Sequence, residues 1–182
     1  KVDVWAARIS YVGESGWEIY FNNNKDDGLA LYDSLLEVGV VPVGIETYAN
    51  SRRLEKSFRL QGADLETEYT AIEAAIQRPL VKEADFHGKA AHLSHREEDP
   101  CAILCTMTLD DLNVSGVPRY PVGISPIINP ATGEVPVDSK GRRSYTTGMS
   151  YCPSIKKFVV MGYLPKELAI QGKQLLIEYF NE

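Results

Sequence analysis

The sequence predicts an α+β fold, with an α+β segment over residues 1–97 followed by an all-β module over residues 98–182. Three observations carry this reading. Period-two alternation opens the chain, helical stripes follow it, and past residue 100 short β-branched runs are punctuated by Gly and Pro. Between the two compositions lies His95-Arg96-Glu97-Glu98-Asp99-Pro100, which is charged, free of aliphatic residues and closed by a proline, and so marks the expected boundary.

The elements follow in order. Trp5, Ala7, Ile9 and Tyr11 alternate with less apolar positions, as do Trp17, Ile19 and Phe21. With Gly13-Glu14-Ser15-Gly16 as the turn, these predict an antiparallel hairpin. Trp17 and Ile19 then face a core, and Glu18 and Tyr20 share the opposite face. Acids after Asn24 mark a helix start, and Leu29, Leu31, Tyr32, Leu35 and Leu36 form a stripe ending at Gly39. Gly44 to Ser57 reads as helical, with Tyr48, Arg52 and Glu55 along one side. Thr70 and Glu73 have capping-box spacing ahead of a short helix through Ile76. Leu80-Val81 reads as a short strand and Gly88 to His95 as a helix. Beyond the boundary, Ala102–Leu109, Pro121–Gly123, Ile127-Ile128, Gly133–Val135, Phe158–Val160 and Leu175–Ile177 read as strands, frequent enough for a small barrel or sandwich.

Composition narrows the function classes. The 182 residues carry 19 Lys+Arg against 25 Asp+Glu, a net charge of −6, which disfavours phosphate-backbone binding, so no nucleic-acid partner is expected. No apolar run approaches the roughly 20 residues needed to span a bilayer, so no membrane partner is expected. The first residues carry no signal-peptide pattern, and a strand already under way at Val4 without an initiator Met suggests part of a larger protein. Cys101 and Cys105 follow His92 and His95, but the spacing is not that of a zinc site, and strand alternation turns both thiols to one face, toward a core. No metal is expected.

Three stretches together resemble the aminomethyltransferase family, which includes the T-protein of the glycine cleavage system and the tetrahydrofolate domains of dimethylglycine and sarcosine dehydrogenases. Residues Arg8 to Tyr20 are similar to the family's aromatic-x-Gly-Glu-x-Gly-aromatic-Glu hairpin. Pro42-Val43-Gly44, Arg53-Leu54-Glu55-Lys56 and Gly62-Ala63-Asp64-Leu65 follow in family order, and Ala84 to Lys89 resembles its acid-Phe-x-Gly-Lys segment. Tyr145 to Gly148 and Met161 to Pro165 are similar to strands of its C-terminal barrel. The resemblance implies the end of a ferredoxin-like α+β region, then a small C-terminal β-barrel. The family's catalytic Asp lies in a part of the fold upstream of this chain, so the catalytic residue is unknown and the chain alone is expected to be an incomplete enzyme.

The resemblance also implies tetrahydrofolate as cofactor, with a methylated amine or aminomethyl donor and upstream domains of the same protein as partners. It implies the cytoplasm, or the mitochondrial matrix in a eukaryote. Glu18 matches the family's pterin-binding Glu. A carboxylate there accepts pterin N–H groups in a bidentate contact, and aromatic rings pack on the ring faces. Tyr11 is a candidate for that wall. Arg53 matches the Arg of the family's Leu-Arg-Leu-Glu run and stands equally as a folate contact or as an intramolecular pair with Glu55 or Glu73. T-proteins carry a further folate-contacting Arg a few residues earlier, whereas here Glu46-Thr47-Tyr48-Ala49-Asn50 has none and holds one extra residue. That departure leaves open a non-catalytic regulatory or scaffold relative, or a folate-dependent demethylase, beside the transferase.

Overall fold

Alternation makes the first element. In the computed structural model, which describes residues 2–22, 24–110 and 123–178 with two short strands at Asn113–Val114 and Val117–Pro118, strand β1 (Val4–Ala7) pairs antiparallel with β2 (Glu18–Phe21). The register sets Trp5 opposite Tyr20 and Ala7 opposite Glu18 on one face, with Val4, Ala6, Ile19 and Phe21 on the other. Helix α1 (Lys25–Glu37) follows at once. Asn24 caps it by accepting from the Asp26 N–H at 3.0 Å, and Asp26 and Asp27 oppose the positive end of its dipole. Phe21 packs beside Gly28 on this helix, so α1 meets the hairpin at the end of β2.

The expected inward direction of Trp17 is overturned. Its side chain is 64% exposed, because the connection between β1 and β2 runs from residue 8 to 17 and Trp17 lies in it, ahead of the paired strand. Much of the α1 stripe is also uncovered. Leu31 and Leu35 are half-buried, whereas Leu29, Tyr32 and Leu36 are exposed, as are Val38, Val40, Val41 and Val43 after the helix and Ile45 at the start of the next one.

Residues 45–55 form one helical run, widened between Thr47 and Arg52 into a π-helical turn and closing as the short helix α2 (Arg53–Glu55). A π turn absorbs one residue more than an α turn. The segment Thr70–Ile76 forms turns instead of the expected helix. The reciprocal capping box is present, with Thr70 N–H donating to Glu73 at 2.9 Å and Glu73 N–H to the Thr70 hydroxyl at 3.2 Å. Ala75 then enters left-handed backbone at φ +52°, which stops the helix after its cap. Leu80 is exposed and unpaired by any strand, so the strand expected there does not form. Helix α3 (Lys89–Glu97) matches the pattern seen around Gly88 to His95.

The second half is built on strands. β3 (Ala102–Thr108), β8 (Lys157–Pro165) and β7 (Thr146–Cys152) form an antiparallel sheet in the order β3-β8-β7, with β4 (Asn113–Val114) and β5 (Val117–Pro118) paired separately. β6 (Ile127–Ile128) pairs with β9 (Leu176–Ile177). Hydrogen bonds from Thr146 N–H to Ser125 O at 2.9 Å and from Ile127 N–H to Ser144 O at 3.2 Å carry the pairing from the foot of β7 onto β6. Among the described residues these strands form no closed barrel. Residues 121 and 122 of one expected strand lie outside the described residues, and Glu134 makes a single bridge to Asn129.

β8 is buried on both faces, as a near-continuous apolar run requires. Val159, Met161 and Tyr163 join Leu54, Ala74, Ala102, Leu104 and Cys152 in the core. Ala102 and Leu104, not the half-buried Cys101 and Cys105, are the core face of β3, so strand parity at the cysteines is the reverse of that expected. The core draws on both sides of residue 97.

That core encloses an ion pair. Arg53, 1% exposed, donates to Asp64, to Ala49 O at 2.7 Å and to Phe58 O at 3.0 Å. Asp64 also accepts from the Thr147 hydroxyl and from Leu60 N–H, and its carbonyl accepts from Tyr163 at 2.7 Å.

Two outcomes are expected. Cleavage engineered between Glu97 and Pro100 leaves two pieces that co-elute on gel filtration, since each holds part of one core; separate elution would establish two independent modules. Asp64→Asn strands a buried guanidinium, for which removing one partner costs about 3–5 kcal/mol. Thermal unfolding should then fall by roughly 10 °C at this chain length; a change of a degree or two would show the pair is dispensable.

Candidate functional site

The uncovered face of the hairpin carries the first candidate. Trp5 and Tyr20, cross-strand partners, hold their ring centroids 4.9 Å apart, and Trp5 is 64% exposed. Two residues before Tyr20, on the same face, Glu18 accepts a hydrogen bond from the Tyr20 hydroxyl at 2.5 Å. That bond and the carboxylate charge raise the Tyr20 pKa. Opposite Glu18 stands Ala7, too small to cover it. A half-buried carboxylate thus sits beside two exposed rings on one face of the hairpin. It can accept N–H groups from a flat heterocycle while the rings contact its face. Reading the sequence identified Glu18 but missed Trp5, whose signal was its place across the hairpin from Tyr20.

Tyr11 is placed differently. Its ring stacks on Phe58 at 5.9 Å and packs against Tyr48 at 5.7 Å, and its hydroxyl donates to Arg59 O at 2.5 Å. Burial raises its pKa most. Both the ring and the hydroxyl therefore have protein partners. Arg53 is likewise committed, to Asp64 and neither to Glu55 nor to Glu73. Glu55 is taken by the neighbouring Arg52 at 2.9 Å. The structure brings Tyr11, Arg52 and Arg53 together around the π turn and leaves Glu18 on the open hairpin face.

A second charged cluster went unseen in the sequence. Arg142 pairs with Glu73 and, at 2.7 Å, with Asp138. Its guanidinium lies 4.2 Å from the Tyr69 ring, which stacks on Tyr163 at 3.5 Å. Burial pushes the Glu73 carboxyl up, but the bonds from Arg142 and Thr70 outweigh it and hold the pKa at about 2. Glu73 and Arg142 stand 69 positions apart, which puts this pair beyond any local pattern. Beside it, a cavity of about 220 Å³ is lined by Leu65, Tyr69, Thr70, Ala74 and Ile76. Among the described residues no group of three or more His, Cys, Asp or Glu is arranged to hold a metal ion. No helix among them is long and apolar enough to cross a membrane.

Comparison with known proteins places this geometry. Residues 1–83 match the GCVT N-terminal domain. Mitochondrial dimethylglycine dehydrogenase of Homo sapiens is 33% identical over 197 residues, spanning all of this chain and 20% of that protein. The aminomethyltransferase of Francisella philomiragia is 31% identical over 180 residues, spanning 94% of this chain and 45% of its own. The crystal structure of the glycine cleavage system aminomethyltransferase T from Bartonella henselae superposes with a TM-score of 0.75 at 26% identity, over 97% of this chain and 46% of that one. These similarities mark the chain as an aminomethyltransferase-type domain. It spans about half the length of the aminomethyltransferases it matches and a fifth of the dehydrogenase. Within this aminomethyltransferase-type domain, Glu18 stands on an open strand face, whereas Tyr11 and Arg53 are engaged by protein partners.

The Glu73 shift has a measurable consequence. A carboxyl depressed from 4.5 to about 2 on folding contributes stability that is complete above pH 4.5 and is lost as pH falls toward 2. Glu73→Gln should flatten that part of the acid-unfolding curve while lowering stability at neutral pH. An unchanged slope between pH 4.5 and 2 would assign the acid sensitivity elsewhere.

Proposed function

We propose that this chain is the tetrahydrofolate-binding portion of a one-carbon (aminomethyl) transferase, and that the pterin ring lies on the open face of the β1–β2 hairpin. The observation that carries the reading is the Glu18 carboxylate beside the Trp5 and Tyr20 rings on an uncovered strand face. Glu18 accepts pterin N–H groups and so fixes the ring's rotation, while the rings supply apolar contact. Tyr20, already donating to Glu18, orients the carboxylate. Tyr11 and Arg53 support this site from behind rather than touching ligand, since their polar atoms are engaged within the protein.

In this reaction class a folate nitrogen receives the one-carbon unit from a methylated amine or an aminomethyl donor. Holding two reactants in register supplies roughly 7–11 kcal/mol of the barrier, so a chain that orients the pterin contributes without itself supplying a catalytic acid. That carboxylate belongs to other domains of the protein under this reading. The β3-β8-β7 sheet and its continuation through β6 and β9 are then part of a small barrel. Three free cysteines suit a reducing compartment, the cytoplasm or the mitochondrial matrix, and the human dehydrogenase relative is named as mitochondrial.

One observation favours a second reading, a non-catalytic relative. Where T-proteins carry a folate-contacting Arg, this chain has Glu46 to Asn50, and the Glu46 carboxylate accepts from Asn50 at 2.5 Å and Ser150 at 3.3 Å.

Calorimetric titration of the full-length protein with tetrahydrofolate tests the site. Loss of a hydrogen bond to a charged group costs about 1.5–3 kcal/mol, so Glu18→Gln should weaken binding by roughly ten- to a hundredfold. Equal affinity in wild type and variant would return Glu18 to an ordinary solvated strand position, and no heat of binding in the wild type would overturn the folate reading.

A further inference from the structure

The residues between β1 and β2 do more than turn the chain. β1 and β2 pack chiefly on each other, so the hairpin's position over the rest of the molecule depends on α1 and on this connection. The connection folds back onto the helical run 45–55 at two points. At the first, Tyr11 packs against Tyr48, stacks on Phe58 and donates to Arg59 O. At the second, Glu14 pairs with Arg52. Between them Gly13, at φ +72°, lies against Lys56, where a Cβ would fall 2.2 Å from Lys56 Cγ. The left-handed backbone there favours glycine, while the flexible Lys56 side chain can give way to a Cβ.

The receiving residues are fixed in their turn. Arg52 also donates to Glu55 at 2.9 Å and to the Ser154 hydroxyl at 2.8 Å, and Glu55 accepts from Ser154 N–H at 2.9 Å. Ser154 belongs to the turn between β7 and β8, so Arg52 joins the hairpin connection to the C-terminal sheet. Tyr48 and Arg52 both lie on the π turn, four positions apart and on the side that meets residues 11–14.

We propose that residues 11–14 form a two-point clasp, received by Tyr48 and Arg52 on the π turn, and that Tyr11 and Glu14 are positioning residues setting where Glu18 stands relative to the β7–β8 turn. The π turn is what sets the receiver, because its wider winding places Tyr48 and Arg52 on the side that meets residues 11–14. The two points differ in kind. The Glu14–Arg52 pair is exposed at Glu14 and screened by water, so it directs the loop more than it holds it. The Tyr11 contacts are half-buried and supply most of the hold.

The clasp's effect on ligand rests on the folate reading; its existence does not. Tyr11→Phe removes one hydrogen bond and keeps the ring, and Glu14→Gln removes one charge, so both leave the Arg52–Glu55–Ser154 network and the core intact. In the full-length protein carrying both changes, hydrogen exchange over residues 8–17 should rise roughly tenfold, as expected for loss of a local hydrogen bond and ion pair. β8 protection and the unfolding midpoint should stay unchanged. Tetrahydrofolate affinity should fall by several-fold in the same variant. Unchanged exchange over 8–17 overturns the clasp, whether or not folate binds. Raised exchange with unaltered affinity overturns its role in placing Glu18. A wild type that binds no folate overturns the functional reading, and the exchange result alone then decides the clasp.

Discussion

The structure depends on one buried ion pair. Taking Arg53 and Asp64 out of water is costly, and their attraction repays that cost only where the remaining donors and acceptors are also satisfied. Here they are. Asp64 accepts from Arg53, Thr147 and Leu60, and Arg53 spends further N–H groups on the carbonyls of Ala49 and Phe58. The pair therefore ties together the π turn, the loop that follows α2 and strand β7, segments up to a hundred positions apart. A polar network of this kind tolerates few arrangements, which makes it a register pin for the apolar residues around it. Leu54 follows Arg53 into the core and Arg52 precedes it toward solvent, so the helix direction at this point is set by which of three consecutive side chains must reach Asp64.

The π turn makes that placement possible. Adding a residue to a regular α-helix would rotate everything beyond it by about 100° and carry Arg53 off its carboxylate. Widening a single turn confines the insertion to residues 47–52 and returns the chain to register at Arg53. The consequence is divided labour along six positions, with Tyr48 and Arg52 turned toward the hairpin and Ser51 and Arg53 turned inward.

What the sequence disclosed follows from the range of the forces involved. The hairpin, the start of α1 after Asn24, the Thr70–Glu73 box and the strands β3 and β8 are written in neighbouring residues and were legible, whereas β7 was marked only at Tyr145 to Gly148, by the family resemblance. Glu18 was legible only because a family resemblance singled it out from many strand glutamates. Distant pairings were not legible. Arg53 was expected on Glu55 or Glu73 and is found on Asp64, while Glu73 is claimed by Arg142 from a loop in the second half. Directions of side chains failed where packing, and not alternation, decides. Trp17 points outward because its segment is docked through Tyr11 and Glu14, and Cys105 lies off the core because Ala102 and Leu104 occupy the face that meets Leu54 and Ala74. The boundary expected at residue 97 was drawn from where charge clusters in the chain, and the core takes residues from both sides of it.

The three thiols differ in a way that turns one of them into a chemical reporter. Cys101 and Cys105 are partly accessible, whereas Cys152 is fully enclosed, its Sγ 3.3 Å from the Ser51 carbonyl. Burial, reinforced by Glu55, pushes its pKa up to about 11. Thiolate is the reactive form, so at neutral pH an alkylating reagent meets almost none of it in the closed molecule. Cys152 sits where the helical run meets β7, and only separation of those two layers would expose it. Its rate of alkylation is therefore a clock for that one opening, built into the native chain without any added label.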